Sequence, residues 1–211
     1  MARRRRPIDR TVSPLRDTSL IVIASEDRYA VRQYFEFFPR TSRVQFVVLE
    51  TQDGKSSPKH LLERIDSYMR EYEIGPGDQF WLMSDCDHWI EPDHIRNLNI
   101  VLTECRNKRI NVALSHPCFE IWLLLHFKDH PSRPNLKCPD ICKGLVDPPL
   151  KYRKDAIYKL PITHEGLHRA VQRASSRPVR HTTIPNEYQT SVYHIVKDLI
   201  DRKLLSIEGQ G

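Results

Sequence analysis

No apolar run in this sequence approaches the roughly 20 residues that a membrane-spanning helix needs. The longest, Ile121 to Leu125, suits a buried helix. The opening Met-Ala-Arg-Arg-Arg-Arg lacks the apolar stretch of a secretion signal. A cytoplasmic protein with no membrane partner is therefore the expectation. Also missing is G-x-x-x-x-G-K-[ST], and Gly75-Pro76-Gly77 precedes an apolar run where a dinucleotide fingerprint would follow one. Hydrolysis of ATP by this chain alone is not expected. The five cysteines, Cys86, Cys105, Cys118, Cys138 and Cys142, are odd in number and scattered, unlike a secreted disulfide framework, so reduced thiols are expected.

What the chain does carry is positive charge, +6 over 211 residues, unevenly placed. Arg3, Arg4, Arg5 and Arg6 form a run, and residues 151 to 180 hold many more basic side chains. Such clusters suit a polyanion such as DNA or RNA, and equally a solvated arm and an ordinary charged surface. Lys143, Lys151, Arg153, Lys154 and Lys159 are candidates to hold phosphates, and Tyr152 is a candidate to stack on a base.

Apolar periodicity alternates between strand and helix. Residues 19 to 24, Val44 to Leu49, Gln79 to Ser84 and Ile110 to Leu114 read as strands. Between them the spacing predicts helices over Asp27 to Phe38, through Leu61 to Tyr72, and from near Pro92 through Cys105; a fourth, opened by Pro117, holds Phe119 to Leu125. Four strand–helix units in a row imply an α/β fold with a mainly parallel four-stranded sheet flanked by helices. Beyond about residue 130 the pattern becomes proline-punctuated and basic, with helical stretches near Ile162 to Ala174 and Glu187 to Leu205 and no strand. The expected organisation is a basic flexible arm over 1–17, an α/β domain over 18–130 and a C-terminal helical extension over 131–211 packed on it. Residues 173 to 183 are expected to be a mobile loop.

Acidic residues sit just past two of the strands: Glu26 after the first, Asp85 and Asp87 after the third. In an open parallel sheet the ligand crevice lies outside the carboxyl ends of the strands, so these carboxylates can converge there. Mg²⁺ and Mn²⁺ prefer such oxygen ligands, and one or two ions are expected on Glu26, Asp85 and Asp87. Glu120 offers a further ligand or base; in a first helical turn its carboxylate also favours the helix dipole. Trp89 follows the aspartates closely enough to face the crevice, whereas Phe119 and Trp122 read as core. His126 and His130, with Cys138 and Cys142, have spacings of four that could supply a zinc site; His126 could equally cap or pack against its helix.

Glutamate after strand one with Asp-x-Asp after strand three resembles the Toprim domain of topoisomerases, primases and OLD-type nucleases. The segment Ala113-Leu114-Ser115-His116-Pro117-Cys118-Phe119-Glu120-Ile121-Trp122-Leu123-Leu124-Leu125-His126-Phe127 is similar to the signature of the RloB-like family. With Ala24-Ser25-Glu26 and the stretch from Ile184 to Leu199, the resemblance spans roughly residues 18 to 202. It departs from the family pattern at Ala24-Ser25-Glu26-Asp27, where a Glu-Gly-Glu-like turn is usual, and at His116, where asparagine is usual. The resemblance implies a Toprim-like, metal-dependent nuclease acting on DNA or RNA in anti-phage defence, gated by an ATPase partner protein. Glu26, Asp85, Asp87 and Glu120 would be its catalytic residues. A non-catalytic regulatory subunit and an Asp-x-Asp nucleotidyl or glycosyl transferase are the other classes to weigh, and a homo-oligomer is compatible with the sequence.

Overall fold

A computed structural model describes residues 3–8, 18–38, 41, 43–51, 55–147, 150–180 and 183–202. Four strands, β1 (Ser19–Ser25), β2 (Val44–Val48), β3 (Gln79–Asp85) and β4 (Asn111–Ser115), form one all-parallel sheet in the order β2-β1-β3-β4. Among the described residues seven α-helices flank it: α1 (Ala30–Glu36), α2 (Pro58–Glu71), α3 (Ile95–Asn107), α4 (Glu120–Leu125), α5 (Cys138–Val146), α6 (His164–Ser176) and α7 (Tyr193–Asp201).

Both faces of the sheet are covered, which is why β1 reads as an unbroken apolar run and not as an alternation. Ile21 and Ile23 face a core that also holds α1, α4 and the three C-terminal helices. Leu20, Val22 and Ala24 face a second core built with α2 and α3 through Leu61, Ile65, Leu98 and Leu102. The C-terminal helices share the first core through Ile141, Leu145, Leu167, Ile195 and Leu199. Burial of this kind contributes about 1.5–3 kcal/mol per large apolar side chain, so these helices are part of the fold's stability.

Several boundaries differ from the sequence reading. The first helix begins at Ala30, not Asp27, because the Asp27 carboxylate accepts the N–H groups of Tyr29 (2.8 Å) and Ala30 ahead of it. Pro117 does not open α4, which begins at Glu120: the proline carbonyl accepts the N–H groups of Cys86 and Asp87, both at 3.2 Å. α5 was not predicted; Pro139 sits in its first turn and Asp140 accepts the Lys137 N–H at 3.2 Å, local signals that the surrounding prolines obscured. The last predicted helix begins at Tyr193 and not at Glu187, because residues just before it pair with β4 instead, and residues 203–205 of its predicted span lie outside the described residues. Thr190 bridges Ser115, and the Ser191 N–H donates to the Leu114 carbonyl at 2.8 Å, covering part of an edge that would otherwise present open backbone groups.

In both segments expected to be flexible, the described residues are held by the fold. Residues 3–8 are docked: the N–H of Arg4 donates to the Glu71 carbonyl at 2.7 Å, and its own carbonyl accepts from Glu73 at 2.8 Å. Residues 1, 2 and 9–17 of the arm lie outside the described residues. Of the 173–183 segment, residues up to Ser176 belong to α6 and the Val179 carbonyl accepts from the His194 ring at 2.7 Å, while 181 and 182 lie outside the described residues.

Candidate functional site

The connection from β1 leads to β2 on one side of the sheet, and the chain then crosses back to β3 on the other. The topological switch point therefore falls between β1 and β3, and ligands of open α/β sheets bind outside the strands' carboxyl ends at such a point. Glu26 directly follows β1, and Asp85 is the last residue of β3. Strand pairing of Ser25 with Met83 brings those ends side by side.

Glu26 is fixed by three donors. The backbone N–H of Asp85 bonds one carboxylate oxygen, and the Ser84 hydroxyl and Trp89 indole N–H reach the other, each at 3.3 Å. Trp89 thus faces the crevice as expected. Burial nevertheless pushes the Glu26 carboxyl up to about 7, with the Asp87 charge adding to the rise against those hydrogen bonds. Asp85 accepts the Phe119 N–H at 2.7 Å and is raised well above the usual carboxylate range by burial, then by the charges of Glu26 and Glu120. Asp87 is more open and accepts the N–H of His88 at 2.9 Å. A cavity of about 10 Å³ lies among Glu26, Asp85, Ser115 and Phe119, the scale of a single water molecule.

Surrounding loops are clamped to these strand ends. Arg64 donates to the Ser25 carbonyl at 2.6 Å and to the Glu50 carbonyl at 2.8 Å, tying the turns after β1 and β2 together. Lys154 is the predicted phosphate-binding lysine that the fold brings here: its ammonium pairs with Asp27 at 2.8 Å, and the charges of Glu120 and Asp85 help hold its proton. The raised carboxyl groups of Glu26 and Asp85 offer oxygen ligands to a divalent cation, and such a hard ion would relieve the charge that burial and repulsion now make unfavourable.

Other candidate residues are placed elsewhere. Arg4 pairs with Glu71 and Arg6 with Asp78, so two of the four N-terminal arginines serve the fold, while Arg3 and Arg5 are exposed. Lys143 and Arg153 pair with Asp140 and Asp155, and Lys151 and Lys159 are exposed. Tyr152 is not available for base stacking: it is buried and its hydroxyl donates to Glu120. Glu120 is itself buried, at the first residue of α4.

The zinc set drawn from spacing does not assemble. Nε2 of buried His126 lies 3.2 Å from the Tyr34 hydroxyl, and both ring nitrogens of His130 face backbone carbonyls, of Tyr188 and Arg173, at 2.9 Å. Cys138 is disulfide-bonded to Cys118, against the expectation of reduced thiols throughout, while Cys142 is free. Among the described residues, the metal-ligating side chains whose donor atoms all lie within 4.8 Å of one another are Cys118, Glu120 and Cys138. The sequence hid this group because Cys118 and Cys138 are separated by 20 residues, far outside any knuckle spacing.

The RloB-like protein family profile matches residues 21–199. The chain belongs to the RloB-like family. No curated protein and no solved structure matches it. In this RloB-like chain the match runs from β1 to α7 and includes Glu26, Asp85, Asp87 and Glu120. No helix among the described residues is long and apolar enough to cross a membrane.

Proposed function

We propose that this RloB-like chain is a Toprim-like, metal-dependent nuclease that cleaves phosphodiester bonds in DNA or RNA. The observation that carries the reading is the meeting of Glu26 and Asp85 at the switch point of the sheet, both with raised carboxyl pKa values and with Asp87 adding its charge to each. Glu26, Asp85 and Asp87 would hold Mg²⁺ or Mn²⁺, which when bound supplies Lewis acidity and a lowered pKa for bound water. Around that centre the protein's own groups have separate tasks. The Asp85 and Phe119 N–H groups, with the Trp89 indole, fix the carboxylate oxygens. Lys154, exposed beside Asp27, is placed to neutralise a phosphate. Anti-phage defence with an ATPase partner is the biological setting that the family membership suggests, and the nucleic-acid reading accords with the excess of basic residues.

A second reading has an observation of its own. The donor atoms of Glu26, Asp85 and Asp87 are not among those gathered within 4.8 Å, and the cavity between the first two is only about 10 Å³. A regulatory subunit that binds nucleic acid without cutting it would tolerate such an arrangement. A transferase has less support, because the cavity of about 540 Å³ between α2 and α3 contains none of the three carboxylates.

Cleavage of labelled DNA and RNA by purified protein in Mg²⁺, Mn²⁺ or EDTA, with Asp85→Asn alongside, tests the proposal. Metal-dependent cutting lost in the variant is the expected result. Calorimetric binding of Mg²⁺ without cutting of either substrate, alone or with the ATPase, would favour the regulatory subunit.

A further inference from the structure

Outside the strand-end carboxylates, one cluster of reactive groups has no part in the proposed cleavage. Cys118, Glu120 and Cys138 bring two sulfurs and a carboxylate within 4.8 Å of one another. Cys118 and Glu120 are buried, the first in the turn that enters α4 and the second at the first residue of that helix, and Cys138 is the first residue of α5. Tyr152 donates to one oxygen of Glu120, and Sγ of Cys138 lies 3.6 Å from the other. With Cys118 and Cys138 joined as a disulfide, neither sulfur has a proton to give that second oxygen, so this buried carboxylate oxygen gains no hydrogen bond from the sulfur it faces. A buried carboxylate oxygen short of a donor is costly, and a cation held by the two sulfurs would offset that cost.

We propose that Cys118, Cys138 and Glu120 form a zinc-class metal site in the reduced protein. A dithiol reductant opens the disulfide, giving two electrons and two protons to the cysteines and becoming a disulfide itself. The two thiols then lose their protons to solvent as the sulfurs bind the cation. Two thiolates and a carboxylate suit Zn²⁺ by ligand softness better than Mg²⁺ and leave a fourth position for water. Disulfide and metal are mutually exclusive states of one sulfur pair. Either one links the entry of α4 to the start of α5, and only the metal sets a cation against the Glu120 oxygen that faces the sulfurs. The site is distinct in donor chemistry from Glu26 and Asp85, although Glu120 acts electrostatically on Asp85.

Cobalt substitution tests this without reference to activity. The full chain, reduced with a dithiol and freed of reductant under anaerobic conditions, is titrated with Co²⁺ and then with Zn²⁺. The expected result is a sulfur-to-cobalt charge-transfer band of one equivalent, displaced by Zn²⁺, in wild type and in Asp85→Asn. The band should be lost in Cys118→Ser and Cys138→Ser, with Zn²⁺ affinity at least tenfold weaker in both and in Glu120→Gln. Thiol titration in denaturant should find five thiols in the reduced protein and three in the oxidised one. The proposal is overturned if reduced wild type gives no such band, if the band survives in both cysteine variants, or if the disulfide resists the dithiol.

Discussion

Asp78 and Asp85 stand at opposite ends of the same strand, one just before β3 and the other at its last residue, and their surroundings are opposite in kind. Asp78 is almost fully buried and saturated with donors: the Arg6 guanidinium binds both its oxygens, and the N–H groups of Leu20 and Gly75 reach it at 2.8 and 2.7 Å. Asp85 receives one backbone N–H and has Glu26, Glu120 and Asp87 as charged neighbours. The amino end of the sheet therefore holds a finished ion pair that ties the N-terminal segment to the fold. The carboxyl end holds negative charge that the protein alone does not balance. Clustered, under-compensated carboxylates in a crevice are the ordinary mark of a functional site, whereas a saturated one is structural.

Removing one partner from the saturated end should produce the largest effect on stability. Arg6→Ala leaves the Asp78 carboxylate buried without its cation, and breaking such a pair costs roughly 3–5 kcal/mol. Urea denaturation should show a midpoint lowered accordingly, with Mg²⁺ affinity of the folded protein unchanged. A loss below about 1 kcal/mol would mean that the two ends are not as different as their hydrogen bonds imply. Asp85→Asn should act in the opposite direction. Relief of repulsion should leave metal-free stability unchanged or raise it by about 1 kcal/mol, while divalent-cation binding weakens sharply. A substantial loss of metal-free stability would instead make Asp85 a structural residue.

Why the sequence does not separate these two aspartates is instructive. Asp78 follows Gly75-Pro76-Gly77 and looks like an ordinary turn residue, and nothing in the spacing reveals that Arg6, 72 positions earlier, returns to it. The parallel four-stranded sheet was legible, because buried runs alternating with amphipathic helices call for parallel strands joined by crossovers; the order β2-β1-β3-β4, and with it the switch point, was not. Placement of Glu26 and Asp85 at the carboxyl ends of two strands was legible as well. The grouping of Cys118 with Cys138, and of Tyr152 with Glu120, did not. Those contacts depend on how α5 and the segment after it fold back on α4, which is set by tertiary packing through Ile141 and Leu145 and not by any local pattern.

Acidity separates the ends further. The Glu26 carboxyl is raised to about 7 in the folded protein, so folding is favoured while it is protonated, and this contribution is fully present below the ordinary carboxylate value and lost as pH rises through about 7. His126 works against it. Burial lowers this ring to about 3, so its contribution is present above the ordinary histidine value and lost as pH falls. The stability difference between wild type and Glu26→Gln isolates the first effect, and it should shift against wild type as pH is raised from about 4.5 to 7. Over the same range cation binding to wild type should tighten, because the metal displaces the proton from Glu26. A difference independent of pH would remove the idea that this carboxyl is held protonated.

The smallest expected effect on stability concerns the cation at the open end. Lys154 is paired with Asp27, yet its side chain is 56% exposed, against 14% for Arg6. The Asp27 side chain is only 6% exposed, but it keeps the N–H groups of Tyr29 and Ala30 when the lysine is removed, so Lys154→Ala should cost less than Arg6→Ala, about 1 kcal/mol. Its effect on nucleic-acid binding should be larger than on folding. If the lysine contacts a phosphate, binding weakens and the magnitude of the slope of log affinity against log salt falls by about 1, one counterion fewer being released. Arg6→Ala, measured at a temperature where it remains folded, should leave that slope intact. An unchanged slope in Lys154→Ala would place the nucleic acid away from this lysine and shift attention to Lys151, Lys159 and the exposed Arg3 and Arg5.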